Sequence, residues 1–465
     1  MTTMLERPVA ARPRPAARRT PRWWRSACQA VVGVSAALVV MLWVQGGGVT
    51  ALATPAGALI STGRLTGLVS SLLLLGQVLL MARIPVVERS FGQDELARKH
   101  RLVGFSSFTL MVAHIVLITF GYAAQGSGRG VVGELVHLVL DYPGMLLATA
   151  GTLALVMVVV TSIRKARARL KYESWHLLHL YAYAGVGLAL PHQLWTGADF
   201  ISHPLAAAFW WTAWALTAAA VVVFRIGLPV WRSLRHRIRV DRVVAEAPGV
   251  VSVHLRGRRL DRLPVRAGQF FVFRFLDGAG WTRGNPYSLS AAPDGWSLRI
   301  TAKALGDGSG RLAGLRRGTR VLVEGPYGRL TQDVRTRPQL AVLTAGIGIT
   351  PGLALLHEQT ERGAVLVHRT SSADDPLFAA ELDHLEARGV EVVRVPGHRI
   401  TERDSWLPDT AKHLTDHDAL LHLIPDLLER DVYICGSATW AEAAARAALA
   451  AGLPAEQLHL ERFSW

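Results

Sequence analysis

Cysteine is almost missing from this sequence. Cys28 and Cys435 are the only two among 465 residues. Two thiols so far apart exclude a disulfide framework and a cysteine-ligated iron–sulfur cluster within the chain. Acidic residues are also short: 35 Asp and Glu stand against 51 Lys and Arg, for a net charge of +16. Such an excess can signal nucleic-acid binding, but its placement argues against that. Arg7, Arg12, Arg14, Arg18, Arg19, Arg22 and Arg25 crowd one N-terminal tail, and further basic clusters fall between apolar runs. Hydrophobic residues make up 50% of the chain, which points to membrane segments. The length predicts two or three domains.

Long apolar runs fall at 28–48, 64–82, 102–122, 143–163, 174–195 and 205–226. Each is near the ~20 residues a helix needs to cross the hydrocarbon. The tail and the connections 83–101, 163–173 and 225–239 are rich in Arg and Lys, whereas the opposite connections hold little beyond Arg64 and Arg129. The positive-inside rule then puts both ends of a multi-pass chain in the cytoplasm, and the expected location is the plasma membrane of a bacterial-type cell. "ALA" at 51–53 resembles a signal-peptidase site, but the long basic region before the first run favours a retained span. After residue 236 short β-rich stretches such as "GVVSVHLRG" and "QFFVFRF" alternate with turns, which predicts a small antiparallel barrel. From 338 strand-like and helix-like stretches alternate, the pattern of a parallel α/β sheet. The predicted domains are a basic tail (1–27), a six-helix membrane bundle (28–235), a β-barrel (236–336) and an α/β nucleotide-binding domain (337–465).

Ionisable groups are scarce in the apolar runs, so histidines there stand out as functional candidates. His100 and His114 in the third run are 14 residues apart, about 21 Å of helical rise. His179 and His192 in the fifth are 13 apart, about 19.5 Å. The two pairs match in depth. His100 and His179 fall near the cytoplasmic side, His114 and His192 near the outer side. Two stacked bis-histidine sites would hold two haems, for which axial His is a common ligand. Thirteen ideal residues leave His179 and His192 about 140° apart around the helix, but Pro191 can break the local ladder and re-aim His192. His176 is a rival inner ligand at a poorer depth. For any one histidine the alternative is a hydrogen bond to a neighbouring helix; four at matched depths favour ligation. His137 and His203 are expected in outer connections.

With this histidine spacing the chain resembles the ferric reductase and NADPH oxidase transmembrane superfamily. That resemblance implies a six-helix bundle with two b-type haems, followed by a ferredoxin–NADP reductase-like module that binds FAD and a nicotinamide. "NPYSLS" at 285–290 stands at the first flavin motif. The resemblance implies that Tyr287 stacks on the flavin ring and Ser288 bonds near its reactive nitrogen, flanked by Pro286. The family's arginine is missing there, replaced by Asn285, with Arg283 nearby. "KALGDGSGRL" at 303–312 is the second flavin element, with Lys303, Gly308 and Ser309; Ser309 can open a helix whose N–H groups meet phosphate. "TAGIGITPG" at 344–352 lacks the full G-x-G-x-x-G fingerprint. Gly346 and Gly348 still admit a dinucleotide, with Thr350 as helix cap and Pro351 in the first turn.

The acidic ribose reader expected for NADH is missing after the second strand. Arg369 and Ser371 stand there and favour NADPH, with Asp374 and Asp375 keeping NADH open. "VYICGS" matches the family's Cys435–Gly436 pair beside the nicotinamide, where Cys435 is no nucleophile. The chain ends "ERFSW", and the resemblance makes Trp465, beside Phe463, the aromatic that shields the flavin. The implied route runs from cytoplasmic NADPH to FAD, the inner haem, the outer haem and an outside acceptor. Oxygen, a ferric chelate and a partner redox protein all remain as acceptors. Membrane lipid is the other partner, and nucleic acid is not. Two rival readings are a membrane-anchored flavin reductase without haem and an electron-donor subunit of a larger complex.

Overall fold

The computed structural model describes residues 23–463 apart from 127, 168, 170, 171, 202, 279, 280, 360 and 361. The tail up to Arg22 and the terminal Trp465 lie outside the described residues. The chain divides into two compact units between Gly227 and Leu228.

The first unit is helical: α1 (Trp23–Gln45), α2 (Pro55–Met81), α3 (Gln93–Ala123), α4 (Gly130–Asp141), α5 (Met145–Ser162), α6 (Tyr172–Trp195) and α7 (Pro204–Ala220). Among the described residues five helices are long and apolar enough to cross a membrane: α1, α2, α3, α5 and the run Pro204–His236 that α7 begins. The expectation of six spans is therefore met by five. The 24-residue α6 has the length, about 36 Å, but its three histidines and two central tyrosines lower its apolarity. Leu102, Phe105, Leu153 and Leu216 are exposed, as a lipid-facing surface requires. Inside the bundle, glycines let backbones close up. A Cβ on Gly151 of α5 would lie 2.7 Å from the Gly185 carbonyl of α6. The stretch after α3, read from sequence as a bare connection, contains α4. It is amphipathic, burying Glu134 and Leu138 while exposing Val132 and Leu140.

The second unit opens with α8 (Leu228–His236). Strands β1 (Arg239–Ala247), β2 (Val250–Arg256), β3 (Phe270–Phe275), β4 (Asn285–Ser288), β5 (Ser297–Lys303) and β6 (Val321–Tyr327) follow. Their ladders do not close into the expected barrel. They form two three-stranded antiparallel sheets, β1–β2–β5 and β4–β3–β6, joined among the described residues by isolated bridges, Arg239 to Arg320 and Leu289 to Ile300, rather than by a continuous ladder. Alternation along β3 turns Phe271, Phe273 and Phe275 into their shared core. Through α8, Ser233 Oγ accepts the Val323 N–H at 3.1 Å.

The remaining strands are β7 (Gln339–Ala345), β8 (Val365–Thr370), β9 (Glu391–Pro396), β10 (Arg430–Ser437) and β11 (Leu458–Phe463). They form one parallel sheet in the order β11–β10–β7–β8–β9, as the alternating pattern predicts. Helices α9 (Ile349–Glu358), α10 (Ala379–Ala387), α11 (Asp416–Leu423) and α12 (Ala438–Ala450) connect them. Every residue of β8 is buried, the signature of a sheet covered on both faces. The chain moves from β7 to β8 on one side and returns to β10 on the other. In such sheets ligands bind beyond the strand ends at this switch point. Buried Asp431 pins the entry to the sheet: it accepts the N–H groups of Thr336 (2.7 Å) and Arg337 (2.5 Å) and meets His459 Nε2 at 2.7 Å.

Candidate functional site

The helices bring the four histidines together as two pairs. The rings of His100 and His179 are 6.0 Å apart between centres, those of His114 and His192 6.4 Å. An imidazole nitrogen ligates a metal at about 2 Å, so two on opposite sides of one ion have ring centres roughly 6 Å apart. Each ring turns Nδ1 to the protein. His100 meets the Gln77 carbonyl (3.2 Å) and His114 the Gly63 carbonyl (2.7 Å). His192 meets the Thr196 hydroxyl (2.8 Å), and His179 the Ser162 hydroxyl (3.4 Å). Ligating histidines are commonly held in this way through the ring nitrogen that does not bind metal, an arrangement in which Nε2 would be the ligand. α6 runs unbroken through Pro191, and His192 still faces His114. Among the described residues no group of three or more His, Cys, Asp or Glu gathers as a multi-ligand metal centre. Two ligands per centre fit an iron whose other four donors come from a planar macrocycle.

The outer pair lines a cavity of about 430 Å³. Gly67 makes room for the ring of His114, since a Cβ there would lie 2.5 Å from its Nδ1. Gly144 (φ 83°) lies against the backbone of His192, where a Cβ would approach to 2.8 Å. Arg64 lines the same cavity, but it is not a free cation. Both its Nε (2.7 Å) and Nη2 donate to Asp199, and Nη2 also reaches the Gly46 carbonyl. His137 pairs with Asp141 on α4, a helix rather than a loop, and His203 accepts the Leu205 N–H.

In the second unit the two flavin elements adjoin. A Cβ on Gly308 would lie 2.4 Å from Asn285 Oδ1, so only glycine permits this contact. Tyr287 packs 6.3 Å from Phe273, and burial pushes its phenol up to about 12. Pro286 pairs with Val272 across the β3–β4 ladder, and Ser288 is buried. Ser309 does not open a helix. Gly306 is the cap, and Ser309 Oγ instead accepts the Leu305 N–H (2.9 Å) to close the turn.

At the switch point, β7 leads into the turn Gly346–Gly348, where Gly346 has φ 51°. Gly348 rather than Thr350 caps α9, and Thr350 Oγ1 donates to the Ile347 carbonyl. Pro351 occupies the first turn as predicted. A Cβ on Gly348 would lie 2.5 Å from the Cys435 carbonyl and 2.8 Å from Gly436 Cα. The sequence-distant dinucleotide turn and Cys435–Gly436 pair are thus in contact. Burial holds the Cys435 thiol well above its usual range, so it remains a neutral thiol.

A cavity of about 530 Å³ is lined by Lys303, Gly346, Arg369 and Ser371, joined by His398 and Arg399. The last two follow β9 in a turn with no motif, which is why sequence missed them. Arg369 departs from expectation. Its guanidinium donates to the carbonyls of Thr370, Gly397 (2.8 Å) and His398 (2.8 Å). It braces this turn and is not a cation free to meet phosphate. Phe463 pairs with Ser437 in the β10–β11 ladder.

Residues 66–190 match the family described as "Ferric reductase like transmembrane component", a stretch that holds His100, His114 and His179 and ends two residues before His192. An "NADPH oxidoreductase" of Mycobacterium tuberculosis is 28% identical over 250 residues, 51% of this chain and 62% of that relative. A "Flavohemoprotein" of a Burkholderia species is 29% identical over 245 residues, 50% and 60% of the two chains. The chain spans about 60% of the length of these curated relatives. Among solved structures, the flavohem-like FAD/NAD-binding domain of nitric oxide dioxygenase from Vibrio cholerae is 25% identical. That match covers 49% of this chain and 99% of that one, with a TM-score of 0.40. Residues 66–190 are thus similar to a ferric reductase-like transmembrane component, and about half of the chain is similar to these two relatives.

Proposed function

We propose that this protein carries electrons from cytoplasmic NADPH, through FAD and two b-type haems, to an acceptor outside the membrane. The observation that carries the reading is the pair of histidine pairs, with ring centres 6.0 and 6.4 Å apart and each Nδ1 held by the protein. His100 with His179 would hold the inner haem, and His114 with His192 the outer one. When bound, the flavin turns a two-electron donor into single-electron steps and the haems relay those electrons. The chain's own residues hold and orient. Asn285 and Gly308 form the flavin cradle, and Gly346, Gly348 and Gly436 let backbone approach the dinucleotide.

With His114 and His192 both holding an outer haem, no ligand position would be left open for an acceptor, so that haem would supply electrons without binding the acceptor at iron. Asp199 neutralises Arg64 beside the outer pair, which removes the charge that would draw in an anionic ferric chelate. That favours oxygen, which takes one electron to give superoxide. Because Arg369 is engaged by carbonyls, the reading of the NADPH 2′-phosphate passes to Arg399 and Ser371 on the same cavity. Arg399→Ala should raise KM for NADPH by about tenfold or more and leave NADH nearly unchanged; steady-state assays with both donors check it.

A pyridine haemochrome assay on purified protein tests the main reading. The expected result is close to two haems per chain, falling toward one in His114→Ala and in His100→Ala. A folded preparation without haem would leave the anchored flavin reductase standing. Haem with negligible oxygen turnover, restored by a redox partner, would favour the electron-donor subunit.

A further inference from the structure

An ion pair outside the flavin and dinucleotide motifs, Arg299 with Glu381, spans the reductase unit. Arg299 lies on β5, the strand that leads to the second flavin element. Its Nε and Nη2 donate to the hydroxyl (3.1 Å) and carbonyl (2.5 Å) of Ser290, which closes "NPYSLS". Ser290 is fully buried, and Thr301 Oγ1 donates to its hydroxyl at 2.7 Å. The same guanidinium makes a two-pronged pair with Glu381, at 2.5 and 2.8 Å. Glu381 is in the first turn of α10. The loop that feeds α10 carries Ser371, Ser372, Asp374, Asp375 and Leu377, all lining the 530 Å³ cavity. Phe378, which caps α10, lies under the guanidinium with its ring centre 5.4 Å away. Nε2 of His357 on α9, the helix that the Gly346–Gly348 turn opens, lies 3.5 Å from Glu381 Oε2, the oxygen that also accepts from Arg299 Nη2. One ion pair therefore ties the flavin strand to both elements that frame the dinucleotide.

We propose that Arg299 and Glu381 form a positioning latch that fixes the nicotinamide-binding half of this unit against the flavin-binding half, and so sets the rate of hydride transfer. The proposal rests on the reading that NADPH reduces a bound flavin. In that step the C4–H bond of the dihydronicotinamide breaks. The hydrogen leaves with both electrons for N5 of the flavin, so the nicotinamide is oxidised and the flavin reduced by two electrons. Such a transfer demands close, aligned atoms, and a displacement of about 1 Å can cost roughly 10²-fold in rate. A planar, two-pronged Arg–carboxylate pair fixes direction as well as distance. Lysine, a point charge on a flexible stem, does not replace it. Neither residue touches the reacting atoms; both act through the elements they hold.

The test uses the full-length protein with Glu381→Gln, Arg299→Lys and the charge-reversed pair Arg299→Glu/Glu381→Arg. Anaerobic rapid mixing with increasing NADPH reads the limiting rate of flavin reduction separately from half-saturation. The latch predicts a limiting rate lower by about tenfold or more in each single variant, with half-saturation within about threefold and flavin retained. Nicotinamide deuterated at the transferred position should give a larger isotope effect in the variants. Independently of turnover, hydrogen exchange should quicken in residues 371–378 and 288–290 of the single variants, and in the charge-reversed pair it should slow again at 371–378, while 288–290, whose donor is lost with Arg299, stays fast. Unchanged limiting rates, or rates that fall only in proportion to lost flavin, overturn the latch. A wild-type protein whose flavin NADPH does not reduce overturns the underlying reading instead.

Discussion

At the scale of single residues, function depends on space as much as on ligands. A methyl group at position 67 would press into the ring of His114, so Gly67→Ala should displace the outer ligand while sparing His100 and His179. The expected outcome is haem content falling from two toward one per chain, read by the Soret band against protein. Burial also sets a pH limit. His254, His357 and His368 are each held near 4 by desolvation. The unfolded chain takes up these protons near 6.5, and the folded chain only near 4. Between those values the unfolded state binds more protons, so stability is full above about pH 6.5 and declines as pH falls toward 4. For buried His368 the loss by pH 4 is on the order of 3 kcal/mol. Thermal midpoints in detergent between pH 7 and 4 should fall, and His368→Gln should flatten the decline. The histidine pairs were legible because depth follows from spacing along a helix. The task of Arg369 was not, because its acceptors at Gly397 and His398 lie in a turn after the next strand. Thr350 misled as a cap because the turn before it, Gly346–Gly348, already winds toward helix.

Elements carry a different lesson. The alternating pattern after residue 338 was read correctly because buried parallel strands leave continuous apolar runs. The antiparallel part was read as strands, but closure depends on continuous ladders between strand edges, and here the edges meet at isolated bridges. α4 was hidden because a short amphipathic helix between spans looks like a mixed connection. α6 shows the opposite conflict: the histidines that mark it as functional lower its membrane character. The join at Thr336–Arg337 is held by one carboxylate that accepts two backbone N–H groups and meets His459. Asp431→Ala strands these buried partners and should cost about 3 kcal/mol or more. Thermal unfolding of the reductase unit should shift down accordingly, with haem content unaffected. An unmoved midpoint would show that the carboxylate does not anchor the sheet.

At the scale of the whole molecule, two units with separate cores meet in one chain, and each supplies half of the proposed electron route. The histidine pairs lie entirely within the first unit, and the flavin and dinucleotide cradles entirely within the second. The proposed route requires both halves to work in series. The direct measurement is anaerobic mixing of purified, cofactor-loaded protein with NADPH, recording flavin and haem absorbance together. If electrons follow this route, flavin absorbance falls first and reduced b-type haem bands then grow to about two haems per chain. On admitting oxygen, the haem bands should reoxidise with superoxide formed. Flavin that bleaches in a folded protein with no Soret band, or haems that stay oxidised while flavin is fully reduced, would contradict it.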